Sequence, residues 1–338
     1  MAHVVVIGAG VIGLTTALAL RERGHRVRVV AQHTGNQTTS AAAGAIWYPF
    51  KVGPPERASK WAAETRRWLE HLSRSTPEAG VDILRRVEIV DSDRRPWWAD
   101  AAANFCVIQH LDHDDEDRTS LPGGAQFAYS FDAPRCDVPL FLSWLENELE
   151  KPVLRARVLA PAREGEGFGA DVPEAADLLR TADAIVLCAG LGSRPLTNDT
   201  QLRAIFGQTV ITRPGRISLA RGLGDERSDN AIYYSIPRRD RVVLGGCAEP
   251  CDDQRPAVPS PDMTATILER ARSLGESPGE VLAESAGLRP FRPSVRLEPD
   301  PANPRLIYNY GHGGAGYTLS WGCAQNVAEL IEQATARA

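Results

Sequence analysis

The sequence predicts an α/β protein in which a Rossmann-like nucleotide-binding domain is interleaved with a mostly antiparallel β domain. At the N-terminus an apolar run meets three glycines and then a helical pattern, VVVIGAGVIGLTTAL. Between residues 207 and 247 short β-rich runs alternate with turns, which is typical of an antiparallel sheet. The length of 338 residues is enough for about two domains.

The N-terminal segment is predicted to fold as strand, helix and strand. A fully apolar run predicts a buried strand over 4–7, and helical spacing predicts a helix over 12–23 that stops at Gly24. A second strand follows over 27–30. Similar patterns predict further helices over 54–72, 138–149, 261–274 and 316–333 and further strands over 153–159 and 184–187.

The second half of the chain supplies the antiparallel strands. The runs QTVIT, AIYYSIP and RVVLGG are predicted to be neighbours, with a hairpin turn at 238–240. Because no Gly/Ser-rich linker divides the chain, we expect the two domains to be interleaved. The expected nucleotide-binding domain comprises 1–50, 137–195 and 300–338, and the expected substrate-binding domain comprises mainly 51–136 and 196–299.

Composition excludes several classes of protein. A net charge of -5 argues against nucleic-acid binding, since neutralising phosphates requires a basic surface. No apolar stretch approaches the roughly 20 residues of a membrane span, and no signal-peptide pattern opens the chain. We therefore expect a cytoplasmic protein that binds small molecules, with a homodimer as its expected assembly.

The sequence does not predict a metal site. The six cysteines form no CxxC pair, and the acidic, histidine-containing segment 110–118 is interpreted as a solvated loop. Cys247 and Cys251 lie four residues apart and would be the pair to bridge, but free thiols are the favoured state in a cytoplasmic protein.

The glycines of GAGVIG have separate roles in a dinucleotide site. Gly8 permits a tight turn from strand to helix, Gly10 lets the backbone approach a pyrophosphate, and Gly13 allows close helix packing. The helix then starts at Val11 and Ile12, where free N–H groups and the helix dipole favour phosphate. We therefore expect a bound dinucleotide.

The residues after the second strand argue against a nicotinamide cofactor, and two further segments favour FAD. The second strand ends in Ala31, Gln32 and His33 instead of the usual acid, so Gln32 is left to bind a ribose hydroxyl. The strand over 183–193 ends in a glycine turn, and the segment 38–49 is rich in small residues and hydroxyls that suit close contact with a flavin. The contacts expected from these two segments are Ala189, Gly190, Thr38, Thr39, Ser40, Gly44 and Ala45.

The chain resembles the D-amino acid oxidase family over nearly all of its length. The stretches that carry the resemblance are VVVIGAGVIGLTTAL, TTSAAAGAIWYPF, YYSIPRRDRVVLGG (233–246), GLRPFRPSVRLE (287–298) and LIYNYGHGGAGYTLSWGCA (306–324). The last of these resembles the family signature, in which Tyr308 stands where a histidine is usual.

The resemblance implies a substrate stacked over the flavin of an FAD domain. Arg292 would pair with the substrate carboxylate, Tyr234 would hydrogen-bond to it, and the carbonyl of Gly314 would accept from the amine. Because Arg289 lies three residues from Arg292 on an extended strand, we expect it to face the opposite side. The implied cofactor contacts are Thr318, the main chain of Gly313, Gly314, Ala315, Gly316 and Tyr317, and Val158 near the adenine.

The implied reaction consumes a D-amino acid and O2. The α-hydrogen leaves as hydride to flavin N5, O2 reoxidises the flavin to give hydrogen peroxide, and the imino acid hydrolyses to a 2-oxo acid and ammonia. Tyr48, Phe50 and Ala315 indicate an apolar pocket, so we expect neutral substrates. His312 is interpreted as shaping the flavin loop rather than as a base.

Three alternatives remain open at this point. A D-aspartate or D-glutamate oxidase would need another cation in the pocket, which Arg213, Arg216 or Arg221 would supply. The others are an oxidase of glycine or small amines and a non-catalytic flavin-binding module. A panel of substrates separates all of these.

Overall fold

A computed structural model describes residues 1–109, 121–161, 167–227 and 232–337. Its helices are α1 Val11–Glu22, α2 Pro55–Ser75, α3 Val138–Asn147, α4 Pro173–Thr181, α5 Ser193–Thr197, α6 Pro261–Ser273 and α7 Gly316–Arg337. Its strands are β1 His3–Ile7, β2 Arg26–Ala31, β3 Val81–Val90, β4 Ala103–Gln109, β5 Phe127–Cys136, β6 Leu154–Arg155, β7 Val158–Leu159, β8 Gly169–Ala170, β9 Ala184–Leu187, β10 Arg203–Thr212, β11 Arg221–Asp225, β12 Tyr233–Pro237, β13 Val242–Gly245, β14 Glu249–Cys251, β15 Val281–Pro299 and β16 Leu306–His312. The mixed α/β class predicted from the sequence is confirmed.

A parallel sheet forms around the N-terminal strand, in the order β16-β9-β1-β2-β6. β1 is apolar on both faces because both are covered. Val4 and Val6 belong to the core that includes α1 and α7, whereas Val5 and Ile7 belong to the core that includes α4. The predicted strand–helix–strand start is confirmed, with ends that shift by one residue.

The antiparallel strands continue the same sheet through β15, which pairs with β10 along its first part and with β16 along its last part. Beyond β10 the order runs β13-β12-β11-β3-β5-β4. The three predicted antiparallel runs are therefore neighbours, as expected. In the described residues, one continuous sheet thus crosses both regions, and the division into two interleaved domains stays a prediction.

The expected strand over 153–159 is wrong as a single element. Leu154–Arg155 pairs with β2, and the N–H of Ala156 still bonds to the carbonyl of Ala31. The chain then leaves the sheet, and Val158–Leu159 pairs instead with β8. Two short pairings with different partners replace the one strand because the ladder with β2 ends at Ala31.

α2 packs against α7 at a glycine that permits close approach. A Cβ at Gly322 would lie 2.4 Å from the carbonyl oxygen of Trp61, and the Gly322 N–H donates to Thr65 Oγ1 at 3.0 Å. Nearby, Trp68 and Trp321 stack with ring centroids 4.3 Å apart. None of the helices in the described residues combines the length and apolarity that crossing a bilayer requires.

Candidate active site

A cavity of about 530 Å³ lies where the parallel strands end and the antiparallel strands begin. Its lining includes the turn from β1 into α1, the 38–50 segment, the turn after β9 and the start of α7. Binding at the carboxyl ends of parallel strands is the usual position for ligands in α/β sheets. The predicted dinucleotide and substrate segments therefore meet in one place.

The GAGVIG turn is shaped as a phosphate cradle. Gly8 has a φ of +115°, and a Cβ there would lie 2.5 Å from the carbonyl oxygen of Cys188. α1 begins after Gly10, which has no side chain to cap the helix, and the Val11 N–H donates to Ser40 Oγ at 3.0 Å. N–H groups and the positive end of the helix dipole at a helix start fit a pyrophosphate. The residues present thus fit the expected dinucleotide.

Most of the expected cofactor contacts line this cavity. Those that do are Gly8, Gly10, Val11, Ile12, Gln32, Thr38, Thr39, Ser40, Gly44, Ala45, Val158, Ala189, Gly190, Gly313, Gly314, Gly316 and Tyr317. Gly13, Ala315 and Thr318 do not line it. Gly13 instead packs against the turn, since a Cβ there would lie 1.9 Å from the carbonyl oxygen of Gly8.

Thr318 and Ala315 lie outside the cavity lining, next to residues that form it. The Thr318 hydroxyl accepts from the Tyr48 N–H at 3.0 Å and donates to the Tyr48 carbonyl at 2.9 Å. Ala315 is fully buried in the core, so it does not contribute to the expected apolar pocket wall. In the described geometry neither residue lines the cavity, and the direct cofactor contacts expected of them stay a prediction.

His312 lines the cavity as a neutral imidazole. Burial lowers its pKa to about 3, and its Nε2 has no hydrogen-bond partner among the described residues. The next residue, Gly313, has a φ of +54° and sits against the backbone of Lys51. These observations agree with a histidine that shapes the loop.

Rows of glycines make room for large side chains on the cavity face of the antiparallel sheet. Tyr234 pairs with Gly224 on one side and Gly245 on the other. A Cβ on Gly245 would lie 2.3 Å from the Tyr234 hydroxyl oxygen, so the ring lies over that glycine. Burial raises the pKa of Tyr234, and the nearby Arg289 charge opposes that rise. The phenol therefore stays a neutral donor within the cavity.

The two arginines of GLRPFRP are placed the other way round from the prediction. Arg289 lines the cavity and lies over Gly207, whose hypothetical Cβ would be 2.3 Å from its guanidinium carbon. Arg292 is not part of the lining. Its Nε donates to Asp199 Oδ2 at 3.0 Å and its Nη1 to the Ser294 carbonyl at 2.8 Å.

The cavity-facing role expected of Arg292 is therefore wrong. The opposite facing of the two arginines was correct, but strand alternation does not say which face looks into the cavity. The physical reason lies in the neighbouring strands: glycine at 207 leaves space beneath Arg289, whereas buried Asp199 holds Arg292.

Arg289 keeps part of its guanidinium free for an anion. Its Nη1 donates to the carbonyls of Cys247 at 2.9 Å and Phe206 at 3.2 Å. In the described part of the chain no carboxylate pairs with it, and its other polar side-chain neighbour is the Tyr234 hydroxyl. A planar fork of this kind suits a bidentate carboxylate.

Sequence reasoning missed a charged cluster at the cavity wall beside Tyr234. Arg86 on β3 bonds Glu88 through Nε at 2.8 Å and Nη2 at 2.6 Å, and both are almost fully buried. Glu226 follows β11 and accepts from the Tyr48 hydroxyl at 3.1 Å. Arg86 and Glu226 line the cavity. The signal in the sequence was RRVEIV, a β-rich run with charges two residues apart on one face.

The arginines proposed as extra pocket cations lie elsewhere. Arg213, Arg216 and Arg221 are exposed and are not part of the cavity lining. Within the described residues no group of His, Cys, Asp and Glu side chains is arranged to hold a metal ion. The six cysteines are free thiols. Segment 110–118, which the sequence predicts to be a solvated loop, lies outside the described residues.

Comparison with known proteins places the chain in a family. Residues 3–330 match the model of the FAD dependent oxidoreductase family. A D-amino-acid oxidase of Rubrobacter xylanophilus is 37% identical over 98% of this chain and 96% of its own length. One from Streptomyces coelicolor is 35% identical over 97% and 96%, and the human D-aspartate oxidase is 26% identical over 98% and 95%.

The solved structures support the same fold. The glycine oxidase of Geobacillus kaustophilus superposes with a TM-score of 0.77 at 19% identity, covering 98% of this chain and 95% of its own. At that identity the likeness concerns the fold. The glycine turn at the cavity fits the cofactor that the family match over nearly the full length implies. The chain belongs to the FAD dependent oxidoreductase family, with FAD as its cofactor.

Proposed function

We propose that the protein is an oxidase of D-amino acids. The observation that carries the proposal is Arg289, which faces the dinucleotide cavity beside Tyr234 without a carboxylate partner in the described residues. An arginine held ready in this way matches the α-carboxylate that all amino acids share. The names of the relatives from Rubrobacter and Streptomyces support the same substrate class.

Three groups would orient the substrate. Arg289 pairs with the carboxylate, the Tyr234 hydroxyl donates to it, and the carbonyl of Gly314 accepts from the amine. Bound FAD supplies the hydride acceptor for the α-hydrogen and passes the electrons to O2. The protein's part is to hold the α-carbon in one orientation and exclude water, which is why one enantiomer is favoured.

The products would be a 2-oxo acid, ammonia and hydrogen peroxide. The imino acid formed by loss of hydride hydrolyses after release, and O2 takes up two electrons and two protons to give the peroxide. No metal cluster in the described residues offers a competing chemistry, and His312 is held neutral by burial.

Neutral substrates are favoured over acidic ones in this proposal. The cations expected to serve an acidic side chain lie away from the cavity, and the wall near Tyr234 is formed largely by Tyr48, Ile46 and Ile236. An oxidase of glycine or small amines fits less well, since the cavity extends beyond Tyr234 to Arg86 and Glu226. A cytoplasmic location and a homodimer complete the proposal.

The test is oxidation of paired enantiomers by the FAD-loaded protein. Oxygen uptake and peroxide formation are followed with D-alanine, L-alanine, D-methionine, glycine and D-aspartate. We expect turnover of D-alanine and D-methionine, with slower turnover of glycine and D-aspartate and none of L-alanine. Equal rates on the two alanines, or a flavin that no D-amino acid reduces, would overturn the proposal.

A further inference from the structure

Arg238 lies outside the cavity lining but bonds to the 38–50 segment, which forms part of that lining. It follows directly after β12, four residues beyond Tyr234, which lines the cavity. Its Nη2 donates to the carbonyl of Gly44 and to the carbonyl of Cys136, each at 2.8 Å. One guanidinium nitrogen therefore joins the cavity segment to the end of β5.

The guanidinium of Arg238 is a buried charge whose hydrogen bonds go to neutral groups. The residue is 7% exposed, and among the described residues it forms no ion pair. Asp82 and Asp137 act on it from farther away, and each pairs with another arginine. Burial lowers the pKa of Arg238 to about 10, so the group stays charged at neutral pH. A positive charge is therefore held beside the cavity segment.

Ala45 is fixed in a conformation that residues with a side chain rarely adopt. Its φ is +51°, in the left-handed region that such a residue occupies only when its surroundings hold it there. The carbonyl of Gly44 before it accepts from Arg238, and its own carbonyl accepts from the Cys136 N–H at 2.8 Å. These two hydrogen bonds hold the peptide groups on either side of Ala45.

The N–H of Ala45 is a buried donor without an acceptor among the described residues. It belongs to the same trans peptide group as the Gly44 carbonyl, so it points away from the oxygen that Arg238 binds. Ala45 is 5% exposed and lines the cavity. Because buried backbone donors are nearly always paired, this N–H is suited to an acceptor on the bound cofactor.

The charge of Arg238 acts on the cavity wall as well as on the peptide. It opposes the rise in pKa that burial causes at the Tyr317 hydroxyl. Tyr317 lines the cavity, and its hydroxyl donates to the Ser40 carbonyl in the same segment at 3.0 Å. A cation at a peptide carbonyl also polarises that peptide, which makes its N–H a stronger donor. Both effects favour negative charge at this wall.

We propose that Arg238 is a positioning residue for FAD, which aims the Ala45 N–H at the flavin ring and whose charge favours the reduced ring. Hydride transfer adds two electrons and one proton, so the ring gains one negative charge. That charge would develop next to a donor that Arg238 orients and polarises. The proposal depends on the FAD cofactor and not on which substrate delivers the hydride.

The test is the reduction potential of bound FAD, measured against reference dyes in the FAD-loaded protein without an amino acid. Arg238→Gln keeps a donor for the Gly44 carbonyl but removes the charge. It should lower the equilibrium constant for two-electron reduction by about tenfold, which corresponds to a potential about 30 mV lower. Arg238→Lys keeps the charge, so its equilibrium constant should stay within about threefold of the parent's.

The matched control is Arg239→Gln, which removes the same charge one residue along the chain at an exposed side chain. Its potential should equal that of the parent. The proposal is wrong if Arg238→Gln and Arg239→Gln have equal potentials. It is also wrong if Arg238→Lys lowers the potential as much as Arg238→Gln does, because the charge would then have no part in the effect.

A measurement on the parent protein decides the case in which the Arg238 variants do not retain FAD. Amide hydrogen exchange is compared between the FAD-loaded protein and the apoprotein. Exchange at Ala45 should be at least about tenfold slower with FAD. Exchange at Trp47, whose N–H already bonds to the Pro134 carbonyl at 2.7 Å, should slow by a smaller factor. If both amides slow equally, or Ala45 does not slow, the N–H does not face the cofactor and the proposal fails.

Discussion

At the scale of single residues, Arg289 and Arg292 are expected to have different roles, since Arg289 lines the cavity and Arg292 pairs with Asp199. Arg289 should bind substrate, so Arg289→Ala should lower kcat/KM for D-alanine by about thirtyfold to several thousandfold. Arg289→Lys should restore only part of this, because a point charge does not reproduce the planar fork. FAD content, measured by absorbance, should stay near that of the parent.

Arg292→Ala is the control for that experiment. The variant removes the ion pair between Arg292 and buried Asp199, which still accepts a hydrogen bond from the Tyr310 hydroxyl at 2.9 Å. We therefore expect a lower free energy of unfolding rather than weaker substrate binding. Its kcat/KM should stay within about threefold of the parent, since the side chain lies outside the cavity. An equal loss in the two alanine variants would contradict the assignment.

Glu276 gives a residue-scale prediction for pH. Burial raises its pKa although Tyr233 and Ser235 donate to it. A carboxyl with a raised pKa in the folded state contributes stability below its unfolded pKa, and that contribution is lost as pH rises through the folded value. Glu276→Gln should therefore weaken the fall in unfolding free energy that begins as pH rises above about 4, the unfolded pKa of a glutamate. Urea unfolding at several pH values measures this, and the same slope in both proteins would refute it.

At the scale of elements, α7 holds the 38–50 segment through two side chains, Thr318 at Tyr48 and Tyr317, whose hydroxyl donates to the Ser40 carbonyl at 3.0 Å. Thr318 makes both of its hydrogen bonds with the backbone of Tyr48, so Thr318→Val should leave two buried backbone groups unpaired. We expect a loss of about 1–3 kcal/mol in unfolding free energy and faster FAD release. Thr318→Ser retains the hydroxyl and should behave like the parent. Unchanged FAD retention in the valine variant would show that the contact does not position the segment.

The elements also show what local sequence could and could not predict. GAGVIG predicted β1, α1 and β2 because glycine turns and buried parallel strands have strong local patterns. β3 was not predicted, since it carries the charged residues Arg86 and Glu88 inward, where they are buried and pair with each other on one face of the strand. The choice between Arg289 and Arg292 likewise depended on Gly207 and Asp199, which lie on other elements.

At the scale of the whole molecule, FAD binding should stabilise the folded chain. The cavity is built from segments that lie far apart in the sequence, so the cofactor binds the folded state and not the unfolded one. Free FAD at a hundred times its Kd should add about 2.7 kcal/mol. The Tm of the apoprotein should rise with FAD concentration and remain unaffected by NADH. A Tm that does not change with FAD concentration would contradict the predicted FAD site.

The long strand β15 has a mechanical consequence for the molecule. Its first part is hydrogen-bonded to β10 and its last part to β16, so one uninterrupted backbone is shared by both halves of the sheet. If either half of the sheet loosens, the other half loses a hydrogen-bonded neighbouring strand. Without β15, each half would end in an unpaired edge strand. Amide hydrogens of β1 and of β12 should consequently exchange through the same global opening, and a cut between 281 and 299 should collapse both halves together rather than release one intact.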